Sequence, residues 1–397
     1  MELVDIFGVA LLVIVSTLAV AGFGIILGLI YKGIDRKLSA RMQGRIGPPI
    51  RQPFRDIVKL FTKENIIPEN SIPWIFNMAP FIGLVSTISI LLFIPIGGFE
   101  PVLGGLLTDS YGNPLIYGDL ILILYLLLIP SLAMVIGGFA SGSPYSTVGA
   151  QREMATMISY EFPLAIIIVG FAWAINRNIT NLNSTIPDPS DYLSQNAFSI
   201  TELTKIPTSV TAEGVINGTS TIWGIVGIVG IIGLLILLFV LILVTPAELS
   251  KIPFDSPEAE TEIAGGLLAE YSGRNLGLFY LTDGVKTIVM ASIIVALFFP
   301  WNLVSAGLSE ELANIALIQT GTGFPIYLGI IINILFFLFK ILVVILFSVS
   351  VIRVAIARLK IDQIVYTYWF WLTLAALFGL VFILLDQSQI LPDWLYF

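Results

Sequence analysis

Eight runs of apolar residues recur along the chain, at roughly 5–31, 73–96, 118–138, 156–176, 222–246, 285–304, 326–352 and 366–386. Each is close to the length an α-helix needs to cross about 30 Å of hydrocarbon. Polar stretches separate them, and the runs show no alternation of the kind a half-buried strand would carry. The pattern therefore predicts an all-α integral membrane protein of about eight transmembrane helices, forming a single membrane domain over residues 1–397. One shorter segment reads differently. From Phe54 to Phe61, the residues Phe54, Ile57, Val58, Leu60 and Phe61 fall mainly on one side of a helix, with Arg55, Asp56 and Lys59 elsewhere. That is the pattern of an amphipathic helix lying in the membrane interface.

The loops differ sharply in charge. Residues 32–63 carry Lys32, Arg36, Lys37, Arg41, Arg45, Arg51, Arg55, Lys59 and Lys63, whereas 97–117 and 305–325 carry neither Lys nor Arg. Arg152, then Lys251 and Arg274, then Arg353, Arg358 and Lys360 place further basic residues after the third, fifth and seventh runs. Cytoplasmic loops hold the Lys/Arg excess. Loops 32–72, 139–155, 247–284 and 353–365 are therefore expected on the cytoplasmic side, with both termini outside and an even number of crossings. The first run opens with Glu2 and Asp5 and has no small-residue cleavage site, so it reads as a retained helix. The segment 177–221 should lie outside. Its Asn178, Asn183 and Asn217 each head an acceptor triplet for glycosylation, a pattern that arises often by chance in a Ser/Thr-rich loop.

Composition narrows the chemistry. The chain is 57% hydrophobic and 12% charged, too apolar for a soluble protein of this length. With no Cys and no His, it has no disulfide, no thiolate nucleophile, and none of the commonest ligands of iron–sulfur clusters, haem or zinc. No metal site is expected in this chain, and any redox centre belongs to another subunit. The net charge of −8 and the absence of a basic stripe give no footprint for nucleic acid.

Three expected cytoplasmic segments and one lysine carry the candidate chemistry. In the first, Arg36, Arg41 and Arg45 precede Gly47-Pro48-Pro49, which no helix can run through. The second is Ser159-Tyr160-Glu161-Phe162-Pro163, preceded by Arg152-Glu153. A carboxylate within an apolar span costs about 2.5–3.5 kcal/mol, so Glu161 points to function; a place at the headgroup level, where a carboxylate costs little, is the alternative. The third runs from Glu248 through Phe254, Asp255, Glu258, Glu260 and Glu262 to Glu270. Helical spacing would stack Glu258 and Glu262, spreading their titration. Carboxyls able to share protons are the material of a relay; a solvated acidic loop is the ordinary alternative. Lys340 lies near the middle of the seventh run and needs a carboxylate or a wet cavity, with Glu161 or the Glu258 group as candidate partners.

At these segments the chain resembles the NuoH-type subunit of respiratory complex I and its relatives, the membrane-bound group-4 [NiFe] hydrogenases and sulfur reductases. The resemblance runs from Ile34-Asp35-Arg36-Lys37 to Arg358-Leu359-Lys360-Ile361-Asp362-Gln363. It is most specific at Ala40-Arg41 through Gly47-Pro48, at Ser159-Tyr160-Glu161, at Pro253-Phe254-Asp255 with Pro257-Glu258-Ala259-Glu260, and at Glu270-Tyr271-Ser272-Gly273. It implies a helix bundle around a cavity facing a peripheral arm, which holds the quinone in quinone-reducing members. Residues matching Glu161, Glu248, Asp255, Glu258, Glu260 and Glu262 would line a polar path toward antiporter-like and small membrane subunits. Arg36, Arg41 and Arg45 would form a basic rim for peripheral large and small hydrogenase-like subunits, which would carry the iron–sulfur clusters and [NiFe] centre.

Gly47-Pro48-Pro49-Ile50 stands where the quinone enzymes usually read Gly-Pro-Asn-Arg, and this looks closer to the hydrogenase branch. Ile263-Ala264-Gly265-Gly266-Leu267-Leu268-Ala269-Glu270 does as well. The expectation is a multi-pass cell-membrane subunit that couples electron transfer in a ferredoxin-dependent hydrogenase or sulfur reductase to proton or sodium movement. The NuoH subunit of complex I, with a quinone site, is the nearest rival. A standalone ion transporter is the rival of another class, disfavoured by the absence of an internal repeat and by the large basic loop.

Overall fold

The computed structural model describes residues 3–96, 120–185, 227–301 and 324–387. Eight helices among them are long and apolar enough to cross a membrane. In chain order, α1 is Leu3–Met42, α2 is Gln52–Thr62, α3 is Pro73–Leu91, α4 is Leu120–Ala140 and α5 is Pro144–Thr185. α6 is Ile228–Glu248, and a folded loop holding the short helix α7, Glu260–Ile263, leads to α8, Gly273–Phe298. α9 is Phe324–Ile345, continued by a π-helical segment, Leu346–Val351, and α10, Ile352–Ala355. α11, Ile361–Tyr366, passes through a second π-helical segment, Thr367–Leu372, into α12, Thr373–Gln387.

α8 is the axis of the bundle. Every residue from Val285 to Phe298 is buried, and the helix packs against α1, α2, α3, α6 and α9. α4 lies against α3 and α5, and α12 against α5 and α6. Lipid gives packed helices no hydrophobic drive, so close approach has to come from small residues. At Gly28, where α1 crosses α8, an added Cβ would stand 2.7 Å from the Gly284 carbonyl carbon and oxygen. Interior prolines interrupt α3, α4, α5 and α6 at Pro80, Pro130, Pro163 and Pro246. They are tolerated where neighbouring helices and side chains satisfy the freed backbone groups.

The four loops richest in Lys and Arg converge at one end. Ile72 N–H donates to the Ala140 carbonyl (2.9 Å) and Leu359 N–H to the Pro253 carbonyl (3.1 Å). Ile66 N–H donates to Ser272 Oγ (3.0 Å). Gly273 has φ +54°, and a Cβ there would collide with the Glu64 carbonyl oxygen. Within Glu270-Tyr271-Ser272-Gly273, Tyr271 stacks on Phe76 at 4.1 Å and meets Phe279 edge-on. That motif locks the loop before α8 onto the loop before α3. The alternation of basic and non-basic loops is thus matched by a common location for the basic ones.

Several helices extend beyond their apolar runs. α1 continues past 31 to Met42, α5 begins at Pro144 rather than 156, and α8 begins at Gly273 rather than 285. Each extension carries charges that find partners inside the protein. Asp35 accepts from Ser350 Oγ (2.6 Å) and pairs with Arg353 (3.3 Å); Arg152 pairs with Glu262 (2.5 Å). The apolar runs stop where these paired charges begin, so the helices outlast them. α5 also runs on through Thr185, past the predicted end at 176, placing Asn178 and Asn183 on helix. Asn217 and segments 97–117 and 305–323 lie outside the described residues. The amphipathic helix appears as α2, with Pro53 in its first turn and Ile57 buried, while Val58 and Phe61 stay exposed.

Lys340 corrects an expectation. Its Nζ donates to the carbonyls of Phe299 (2.9 Å) and Trp301 (2.7 Å), just past the last turn of α8, and lies 5.0 Å from the Phe336 ring centroid. Neither Glu161 nor Glu258 is its partner. The terminal carbonyls of a helix lack intrahelical donors and carry its negative dipole end, so a lysine from α9 satisfies both at once. Lys340→Met should therefore lower the unfolding midpoint of the purified complex, with a cost of about 1–3 kcal/mol for the orphaned carbonyls. An unchanged midpoint would show that these carbonyls do not depend on Lys340.

Candidate functional site

Two adjoining cavities open from the basic end of the bundle. The outer one, of about 270 Å³, lies between α1, α2 and α8 and is lined by Leu29, Pro53, Ile57, Leu60, Leu276 and Tyr280, with Lys32 and Arg36. The inner one, of about 100 Å³, shares Lys32, Arg36 and Tyr280 and continues to Lys251, Glu258, Asp283, Glu248 and Lys286. Arg36 pairs with Asp56 (3.2 Å) at the half-exposed mouth.

Asp283 is the hinge of the inner cavity. Its Oδ2 accepts from Lys32 Nζ (2.6 Å) and Lys251 Nζ (2.7 Å), joining α1, the loop after α6 and α8 through one carboxylate oxygen. Burial pulls Lys251 down, but Asp283 outweighs it and holds the ammonium above its ordinary value. Burial pushes the nearby Glu258 carboxyl up, against the pull of Lys251.

Deeper in, α8 presents Lys286 to Glu248 at the end of α6. The charges meet at 2.8 Å with side chains 3% and 2% exposed, though not in hydrogen-bond alignment. Lys286 Nζ also donates to Ser131 Oγ (2.7 Å), which is 3.2 Å from the Tyr160 hydroxyl. Glu153, 1% exposed, accepts from Ser250 Oγ at 3.4 Å through one oxygen, while the other has no hydrogen-bond partner. Ser250 holds φ +47°, a left-handed conformation unusual for a residue with a side chain, and this turns the chain back under α5. Glu161 is half-buried on α5, with Oε1 buried and unpartnered.

The acidic residues predicted as one group thus separate. Glu248 and Glu258 line the inner cavity, Glu153 stands buried near them, and Glu161 lies farther along α5. Asp255 is held by Arg358, whose Nε donates to Oδ1 at 2.8 Å and whose Nη2 meets Oδ2. That hydrogen-bonded carboxylate raises the Arg358 guanidinium above its ordinary value, and the clamp fixes the loop after α6 to the segment before α11. Glu260 and Glu262 are exposed, the latter on Arg152. Phe254 is buried edge-on to Tyr368 and faces neither cavity. Gly47, Pro48 and Glu270 also line neither, and Arg41 and Arg45 project from the exposed surface.

Lys286 and Asp283 went unsingled in the sequence because both fall at the border of an apolar run and a charged loop. A signal existed: they lie three apart, one turn of one helix face, and Lys286 stands inside the bounds of an apolar run. Among the described residues no set of three or more acidic side chains is grouped to hold a metal ion.

A family model for NADH dehydrogenase matches residues 13–384. The H subunit of the NADH-quinone oxidoreductase of Syntrophotalea carbinolica is 29% identical over 274 residues, spanning 66% of this chain and 70% of its own. A second-copy H subunit of the same enzyme, from Rhizobium meliloti, is 26% identical over 309 residues, spanning 76% and 81%. Among solved structures, a chain of the membrane-bound sulfane sulfur reductase, an archaeal respiratory membrane complex, superposes with a TM-score of 0.68 at 25% identity. The match covers 94% of this chain and 99% of that one. With eight spans and a buried polar site at the end where the basic loops meet, this chain belongs to the NADH dehydrogenase family, as a NuoH-like membrane subunit of a respiratory complex.

Proposed function

We propose that this subunit couples electron transfer in a peripheral iron–sulfur module to proton or sodium movement, through the buried charges between the inner cavity and Glu161. The observation that carries this reading is the Lys286–Glu248 pair, buried in the bundle and continuous with a cavity that opens toward the basic surface. A unit charge arriving roughly 15 Å from a buried carboxyl acts on it with about 1 kcal/mol at an effective dielectric of about 20. That is close to one unit of proton affinity, enough to move a proton between groups already balanced against each other. Glu161, half-buried and with one oxygen unsatisfied, is the acceptor farthest from the cavity.

The favoured complex is a ferredoxin-fed hydrogenase or sulfur reductase, with antiporter-like and small membrane subunits as neighbours. Its support is the near-complete match to the sulfane sulfur reductase chain, together with Gly47-Pro48-Pro49 and the 263–270 segment. A quinone reductase is the second reading, favoured by the outer cavity and by the names of the curated relatives. Ile57, Leu60 and Leu276 with Arg36, Lys32 and Tyr280 would hold a quinone there, and it would supply two-electron acceptor chemistry.

Glu161→Gln should leave assembly and electron transfer intact while cutting ions moved per electron several-fold in sealed vesicles; an unchanged ratio would remove Glu161 from the path. Purified in mild detergent, the chain should bring down an iron-bearing module. Nickel near one atom per complex would assign it to the hydrogenases, and iron without nickel to sulfur- or quinone-reducing relatives. A chain that purifies alone would overturn the anchor role in favour of a transporter.

A further inference from the structure

The buried charges do not balance in equal pairs. Lys32 and Lys251 share Asp283, leaving one positive charge that Glu258, beside them in the same cavity, offsets. At the mouth, Arg36 is matched by Asp56. Lys286 is matched by Glu248. Glu153 is left over: 1% exposed, with one oxygen unpartnered and the other held only by a 3.4 Å contact from Ser250. Ser250, its contact, lines the inner cavity together with Lys286, Glu248 and Glu258. A carboxylate buried without a partner takes up a proton rather than remain charged.

From this we propose that Glu153 and Glu248 are a proton-sharing pair served by one lysine: together they hold one proton, and Lys286 pairs with whichever of the two is ionised. The polar atoms around Lys286 suit such an exchange. Across from it stand Glu248 on α6, Ser131 on α4, and Glu153 and Tyr160 on α5; Lys251 and Glu258 lie in the loop after α6, with Asp283 on its own helix and Lys32 on α1. Ser131 accepts from Lys286 and contacts Tyr160, so the ammonium keeps a hydrogen bond while it changes carboxylates. Proton and positive charge move in opposite senses, so the pair changes its dipole without changing its net charge, and no net charge has to be desolvated during the exchange. Lys286 is thus a positioning residue that makes two buried carboxyls interchangeable.

The consequence for coupling rests on the relay reading above, but the protonation state does not. The test is infrared difference spectroscopy of the intact complex at neutral pH, resolving buried protonated carboxyls by their slow exchange in D₂O. The wild type should show one such band assignable to the pair. Glu153→Gln should abolish it, and so should Glu248→Gln, because the remaining carboxylate then pairs with Lys286. Lys286→Met should add a second band, since neither acid retains a counter-ion. Persistence of the band in Glu248→Gln would assign the proton to Glu153 alone and overturn sharing, and absence of any such band in the wild type would overturn the whole inference. If Lys286→Met does not assemble, the two glutamine variants still decide. The expected spectra with normal ion pumping in Glu153→Gln would sink the relay reading while leaving the shared proton standing.

Discussion

A lysine buried in an apolar bundle requires polar partners at contact distance, and Lys286 finds a full counter-charge in Glu248. Desolvating either charge alone would cost far more than any single packing contact returns. The pair therefore ties the central helix α8 to the last residue of α6, two positions after the interior Pro246. Glycines at the crossing of α1 and α8 bring Lys32 close enough to reach Asp283. One electrostatic demand thus sets how three helices meet at the basic end of the molecule.

That arrangement gives the subunit two kinds of charged residue with different roles. Asp255 with Arg358, Asp35 with Arg353 and Ser350, and Lys340 on the carbonyls beyond α8 have their partners within reach, and they hold loops and helix ends in place. Glu153, Glu161 and Glu248 each retain an oxygen without a hydrogen-bond partner. Buried unsatisfied acceptors are rare because they are costly. Glu248 lines the inner cavity, Glu153 touches it through Ser250, and Glu161 lies farther along α5.

Much of this was legible in the sequence, and the illegible part has a common cause. Apolar runs located all eight spans because an apolar helix surface, whether it meets lipid or, as in α8, other helices, is a property of local composition. The amphipathic pattern at 54–61 located α2, and the family motifs located Glu248 and Glu258. The starts of α5 and α8 were set too late, at 156 and 285, because the segments ahead of the apolar runs carry charges, Arg152 and Glu153 in α5 and Arg274 and Asp283 in α8. Lys340 looked as though it needed a carboxylate because sequence reports depth but not direction; its partners are backbone carbonyls, which no pattern of side chains reveals. The spread of Asp255, Glu260 and Glu262 away from the cavity arises from the folded loop around α7, where spacing along the chain says little about distance in space.

The central claim is that redox work passes through the buried pair. It is tested most directly by the number of ions moved per electron in sealed vesicles carrying Glu248→Gln, with electron-transfer rate and assembly measured in parallel. The account predicts that electron transfer continues while the ion ratio collapses, because Lys286 loses the carboxylate with which it exchanges. A normal ratio, with the complex assembled and turning over, would contradict it.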